Sequence, residues 1–240
     1  MNRGSILALA FALAALPAFA VEHEPSSGNV SVKSGEQASD LSTVNGGVRV
    51  EENASVRKVN TVNGAIELES STSAKSLDSV NGGILVGDNA QIADHVATVN
   101  GGVALGKDTR VAGTVSAVNG TVALDDGTEV NGRIASVSGR IHLAAAHVCG
   151  GLKTETGDIM VGANARVEGG ILVWKSRKPS EGIQPVPLVV IGPGAVVEGP
   201  IRFEREVKFF VSDTAQIGPV EGAVPTTFSG AQPPVPAGAT

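Results

Sequence analysis

The chain has 240 residues, a formal net charge of −6 and an isoelectric point near 5.2. That acidic balance argues against nucleic acid as a partner and against strong attraction to anionic membrane surfaces. A single cysteine, Cys149, excludes an intrachain disulfide, and the absence of tyrosine among 31 glycines leaves a core to be built from small aliphatic side chains.

Residues 1–20, MNRGSILALAFALAALPAFA, carry the marks of a secretory signal. Arg3 supplies the positive start, Ile6 to Leu16 the short apolar run, and Ala18-Phe19-Ala20 the small-x-small cleavage site. The expectation is export to the periplasm, the cell surface or the medium, with residues 21–29 as a linker. The run is too short for a membrane span, and no later segment is apolar enough for one.

From residue 30 the chain repeats itself. TVNGGVRV begins at 43, TVNGAIEL at 61, SVNGGILV at 79, TVNGGVAL at 98 and AVNGTVAL at 117. The glycine at the motif or its equivalent falls at Gly46, Gly64, Gly82, Gly101, Gly120, Gly139 and Gly157, in steps of 18 or 19 residues. Within each step, apolar residues recur every six or seven positions, as in Val44, Val50, Val56 and Val62. Short strand-like segments with Gly/Asn turns and no helical pattern between them predict an all-β, single-domain parallel β-solenoid. It is three-sided, with about ten rungs of 18–19 residues spanning 30–224.

The motif reads as a turn device. Valine is expected to face inward, and Gly46, Gly64, Gly82, Gly101 and Gly120 to take a positive φ at the corner. Asn45, Asn63, Asn81, Asn100 and Asn119 are expected either to flank that corner or to stack in an amide ladder. A second series, including VEENASV (50–56), LGKDTRV (105–111) and LAAAHVC (143–149), places Cys149 in the file of Val56, Val111 and Val130 as a small core residue. The same alignment puts His147 in the column of small residues.

Regularity is expected to fail at 174–188, WKSRKPSEGIQPVPL, a surface loop whose Trp174, Lys175, Arg177 and Lys178 form a candidate binding cluster. Residues 203–224 are expected to form an irregular cap, and 225–240, rich in Pro, Gly, Ala and Thr, a flexible tail.

The TVNG-rich rungs resemble the adhesin-like β-solenoid domains of exported bacterial proteins. ANARVEGGILV (163–173) and GAVVEGPIRF (194–203) resemble the bactofilins, polymer-forming β-helical scaffold proteins. The likeness covers about residues 30–220 and implies architecture and a tendency to self-assemble; it implies no catalytic residues. Bactofilins are typically cytoplasmic, so a cytoskeletal role does not transfer to a chain with a signal segment.

Chemistry is sparse. Hexapeptide-repeat acyltransferases share the six-residue period and use a histidine base, for which His95, His142 and His147 are the candidates. Asp88, Asp125-Asp126 and Glu51-Glu52 are acidic clusters on one face, where carboxylates ordinarily supply solubility; neither a metal nor a cofactor is expected. Glu155 occupies a position that other rungs give to Val118 and Val137. Thr43/Asn45, Thr61/Asn63, Ser79/Asn81 and Thr98/Asn100 are candidate parallel ranks for lattice binding to ice or a crystalline polysaccharide. The leading expectation is a non-enzymatic structural or adhesin-like envelope protein whose partners are copies of itself or envelope polysaccharide. A glycan- or ice-binding module is the alternative, and an acyltransferase the next.

Overall fold

The computed structural model describes residues 28–176 and 185–233. The expected signal segment, Arg177, Lys178 and the end of the expected tail lie outside the described residues. Every regular element among the described residues is a β-strand, and every strand pairing is parallel. The strands stack as the coils of a β-solenoid of about ten turns. No helix among the described residues is long and apolar enough to cross a membrane.

Each turn has three faces. The first is an 11-stranded sheet that starts at Val30–Val32 and Val48–Val50 and ends at Thr226–Phe228. The second face carries two-residue strands such as Arg110–Val111 and Glu129–Val130. The third carries three-residue strands such as Val115–Ala117 and Ile134–Ser136. In the early turns the second and third faces run together as one strand, as in Ser55–Asn63. From the turn containing Ala93, Asp94 and His95, one added residue opens a corner between them. That insertion is why the sequence step lengthens from 18 to 19. At about 4.8 Å per turn the rod is roughly 48 Å long.

Register holds the interior together. Val50, Leu68, Val86 and Leu105 stand in one axial file, each paired in order with the next, all buried. A second file on this face runs Val48, Ile66, Ile84, Val103, Val122, Ile141 and Ile159. A third, on the third face, runs Val96, Val115, Ile134, Leu152 and Ile171. Burying each such side chain contributes about 1.5–3 kcal/mol. Because a turn cannot bury its hydrophobic face alone, it is stable only against its neighbours.

The six-residue series is not wholly inward, however. Val50 and Val56 are buried, whereas Val44, Val62, Val80, Val99 and Val118 project to solvent, 38–45 % exposed. The residue before each turns in instead: Thr43, Thr61, Ser79 and Thr98 are buried. Alternation within the strand decides this, since Leu41, Val59, Leu77 and Val96 are inward two positions earlier. The buried hydroxyls satisfy corner carbonyls of the preceding turn. Thr43 donates to Gly28 O at 3.1 Å, Thr61 to Gly46 O at 3.0 Å and Thr98 to Gly82 O at 2.9 Å.

The corner glycines are needed for a different reason from the one expected. None of Gly46, Gly64, Gly82, Gly101 or Gly120 has a positive φ. A Cβ on Gly82 would instead lie 1.9 Å from the carbonyl oxygen of Gly64 one turn below, and one on Gly101 2.2 Å from that of Gly82. Left-handed backbone occurs at the opposite corner, at Asn53, Ser71, Asn89, Asp108, Gly127 and Asn164. Asn and Asp are the non-glycine residues that tolerate it best.

The C-terminal turns keep the coil where a cap and tail were expected. Ile201–Phe203 pairs with Ile171–Val173, Lys208–Ser212 with Leu188–Ile191, and Thr226–Phe228 with Lys208–Ser212. Phe203 and Phe209 occupy inward files and pack edge to face, ring centroids 5.0 Å apart, while Phe228 is buried in the final turn. The aromatics therefore thicken the coil at that end and do not leave it.

Candidate functional site

Two features of the outer surface are continuous from turn to turn. The first is the ridge of Val44, Val62, Val80, Val99 and Val118. It borders a groove of about 470 Å³ on the third face, whose floor also includes Ser42, Asn60, Asp78, Ala97 and Ser116. Beside it runs the asparagine ladder. Asn63 Nδ2 donates to Asn45 Oδ1 at 3.0 Å, Asn81 to Asn63 at 2.9 Å, Asn100 to Asn81 at 2.9 Å and Asn119 to Asn100 at 3.0 Å. Ser138 Oγ then donates to Asn119 Oδ1 at 2.8 Å where the next turn has no asparagine. The ladder amides are exposed, yet their hydrogen bonds run along the rod.

This arrangement corrects the lattice reading. Ranks of threonine and asparagine on one outward face do not exist, because the hydroxyls of Thr43, Thr61, Ser79 and Thr98 point into the core. What faces out is valine beside asparagine. Glu155 and Trp174 lie in the continuation of the valine column, since Ser136 pairs with Thr154 and Thr154 with Val173. Trp174 is half-buried, with the Lys153 ammonium 5.3 Å from its ring centroid, and the Lys175 amide donates to Glu204 Oε2 at 3.1 Å. Arg205 holds the far side of this connection, donating to Glu155 O at 3.0 Å and Pro185 O at 2.9 Å.

The acidic clusters have structural work. Asp88 Oδ1 accepts from the Lys107 amide at 2.8 Å, Asp126 Oδ1 from the Ala145 amide at 3.1 Å, and Glu51 from the Lys33 ammonium at 2.6 Å. That ammonium and the Ser34 amide hold the Glu51 carboxyl below its ordinary range. These carboxylates stitch successive turns together.

The histidines are dispersed. His142 stands outward on the first face between Ala123 and Met160. His95 has carboxylate neighbours: its Nε2 lies 3.1 Å from Asp78 Oδ1 and its Nδ1 3.4 Å from Asp94 Oδ2. Its position at the corner opened by the extra residue brings Asp94 beside it and Asp78 from the turn below.

His147 and Cys149 are both displaced from their expected places. The first corner of this turn is one residue shorter than in its neighbours, so Leu143 pairs with Leu124 but His147 pairs with Glu129 and Val148 with Val130. Ala146, not His147, fills the small buried position, and Cys149 falls outside the core, half-exposed beside Asn131. The slip sets His147 and Cys149 on the same outward side of the second face, with Glu168 from the next turn beside them. His147 Nε2 is 2.9 Å from Glu168 Oε1 and 3.9 Å from Cys149 Sγ. Partial burial, together with Glu168 and Glu129, pushes the Cys149 thiol up, and Arg166 opposes this. The sequence signal was available: LAAAHVC aligns with its neighbours only after one residue is omitted.

Comparison with protein-family models, with curated proteins and with solved structures returns no match.

Proposed function

We propose that the chain is a non-enzymatic structural protein of the cell envelope, exported and adhesin-like, that works through its long repeat surface and associates with copies of itself. The observation that carries this reading is the valine ridge. Five stacked valines, each more than a third exposed, form an apolar line where a monomer would gain solubility from polar residues. A second copy is the occupant that fits best. A ridge repeating at about 4.8 Å matches another ridge of the same period in register, and an isologous contact needs only one such surface per chain. Among the described residues, Asp78 is the sole charged one lining that groove, so two copies would meet with little like-charge repulsion. Among the described residues, the outermost strands of the first face, Val30–Val32 at one end and Thr226–Phe228 at the other, each pair on one side only and offer a second route to end-to-end growth. The bactofilin likeness of the later turns agrees with assembly, and the adhesin-like repeat style agrees with an envelope location.

The test is sedimentation velocity over a range of protein concentrations on the parent chain and on Val62→Lys/Val99→Lys. The parent is expected to form concentration-dependent oligomers and the double variant to remain monomeric with an unchanged β-sheet circular dichroism spectrum. A parent that sediments as a monomer throughout contradicts the proposal. Equal association of the two chains removes the ridge from it and leaves the strand edges.

A further inference from the structure

We propose that His147, Cys149 and Glu168 form a binding site for a thiophilic divalent ion, Zn²⁺ first, on the second face of the rod. The three side chains offer one imidazole nitrogen, one thiol sulfur and one carboxylate oxygen, all within 4.8 Å of one another. Tetrahedral zinc, with bonds of about 2.0–2.3 Å, places its ligand atoms about 3.3–3.7 Å apart. The observed separations of 2.9 Å (His147 to Glu168) and 3.9 Å (His147 to Cys149) bracket that range. Closing on an ion requires shifts of about an ångström or less in these two separations, and all three residues are half-exposed.

Fold and chemistry both favour this trio over the acidic clusters. His147 opens the two-residue strand His147–Val148 and Cys149 directly follows it, so both flank buried Val148 and lie on the outward side. Glu168 reaches them because Val148 pairs with Val167, which places it one turn above Cys149. Nitrogen and sulfur donors select zinc and its neighbours over calcium or magnesium, which take oxygen. A thiolate and a carboxylate neutralise a divalent charge. Arg166, 3.6 Å from Glu168 through Nε, keeps its other ion pair, to Glu198, when Glu168 turns to the ion. The bound ion ties two adjacent turns together and leaves a fourth position open to water or to the Asn131 side chain, whose Oδ1 lies 3.9 Å from the sulfur.

The proposal is tested on the reduced full chain with Zn²⁺ by titration calorimetry, and with Co²⁺ by absorption, where a thiolate ligand gives a near-ultraviolet charge-transfer band. The expected result is one equivalent bound, with the cobalt band present. Cys149→Ser should abolish the band, and His147→Ala and Cys149→Ser should each weaken binding by about 100-fold or more, beyond the roughly tenfold lower bound for outer-shell changes. Gln91→Ala, on the same face but three turns from His147, should leave affinity unchanged. Circular dichroism reports that each variant is folded, as outward positions permit. Absence of saturable binding by the parent overturns the proposal, and so does undiminished affinity in either Cys149→Ser or His147→Ala.

Discussion

Replacing Gly82 with alanine is expected to destabilise the protein by about 3 kcal/mol or more, whereas the same change at adjacent Gly83 leaves stability unchanged or raises it slightly. Neither glycine has a positive φ, so backbone strain does not separate them. Space does. A Cβ on Gly82 would meet Gly64 O at 1.9 Å and Gly64 C at 2.5 Å, backbone atoms fixed by the spacing between turns. A Cβ on Gly83 finds its nearest neighbour, Gly102 O, at 3.4 Å, an ordinary contact. Relieving the first clash requires two turns to separate, which also strains the Asn81–Asn63 bond and the hydroxyl contact from Ser79 to Gly64 O. At about 2–4 °C per kcal/mol for a chain of this size, Gly82→Ala should melt roughly 6–12 °C lower by circular dichroism. Equal melting temperatures for the two variants would mean that the turns do not stack as closely as described.

The second large effect is expected at Ile141. This side chain is fully buried, in register between Val122 and Ile159. Ile141→Ala removes apolar contact and leaves a cavity, a change that destabilises by about 2–5 kcal/mol in well-packed cores. The lower half of that range requires neighbours to close in. Here the file fixes Val122 and Ile159 on separate strands held by ladder hydrogen bonds, so collapse is restricted and about 3 kcal/mol or more is expected. Val62→Ala is the matched comparison. Val62 belongs to the six-residue apolar series of the sequence but is 40 % exposed, and its truncation should stay within about 0.5 kcal/mol. Urea unfolding of both variants measures the difference; comparable losses would contradict the assignment of Ile141 to the core and Val62 to the surface.

The coil was legible in the sequence because stacking imposes repetition. The spacing of 18 or 19 residues between Val50, Leu68, Val86 and Leu105 follows directly from their shared file. What the spacing alone does not reveal is which of two adjacent residues turns inward at the corner. Thr43 and Val44 compete there, and hydrophobicity favours the valine. Alternation along the strand turns threonine inward, and its hydroxyl is satisfied there by a corner carbonyl of the preceding turn. Glu155 and Trp174, standing in the same column as Val118, were the evidence that this column is outside. The corner glycines were found for the wrong reason, since close approach of backbones and not φ dictates them. The left-handed corner was written instead in Asn53, Asn89, Asp108 and Asn164. The trio of His147, Cys149 and Glu168 was hidden by a single missing residue after Leu143, which shifted the register by one and reversed inside and outside for everything up to Cys149.

Residues 203–224 were expected to form an irregular cap because the large side chains of Phe203, Phe209 and Phe210 break the aliphatic pattern. Phe203 and Phe209 break it only in size; they keep its alternation, and the coil continues through them.

The most direct test of the stacked coil is to excise one whole turn. Deleting residues 101–119 joins Asn100 to Gly120 and preserves every file, ladder and corner on either side; deleting 101–110 removes about half a turn and brings unlike faces together. The whole-turn deletion is expected to unfold cooperatively as a β-protein whose rod is about 4.8 Å shorter by small-angle scattering, while the half-turn deletion fails to fold. Loss of the fold in both chains, or its retention in both, would contradict the account.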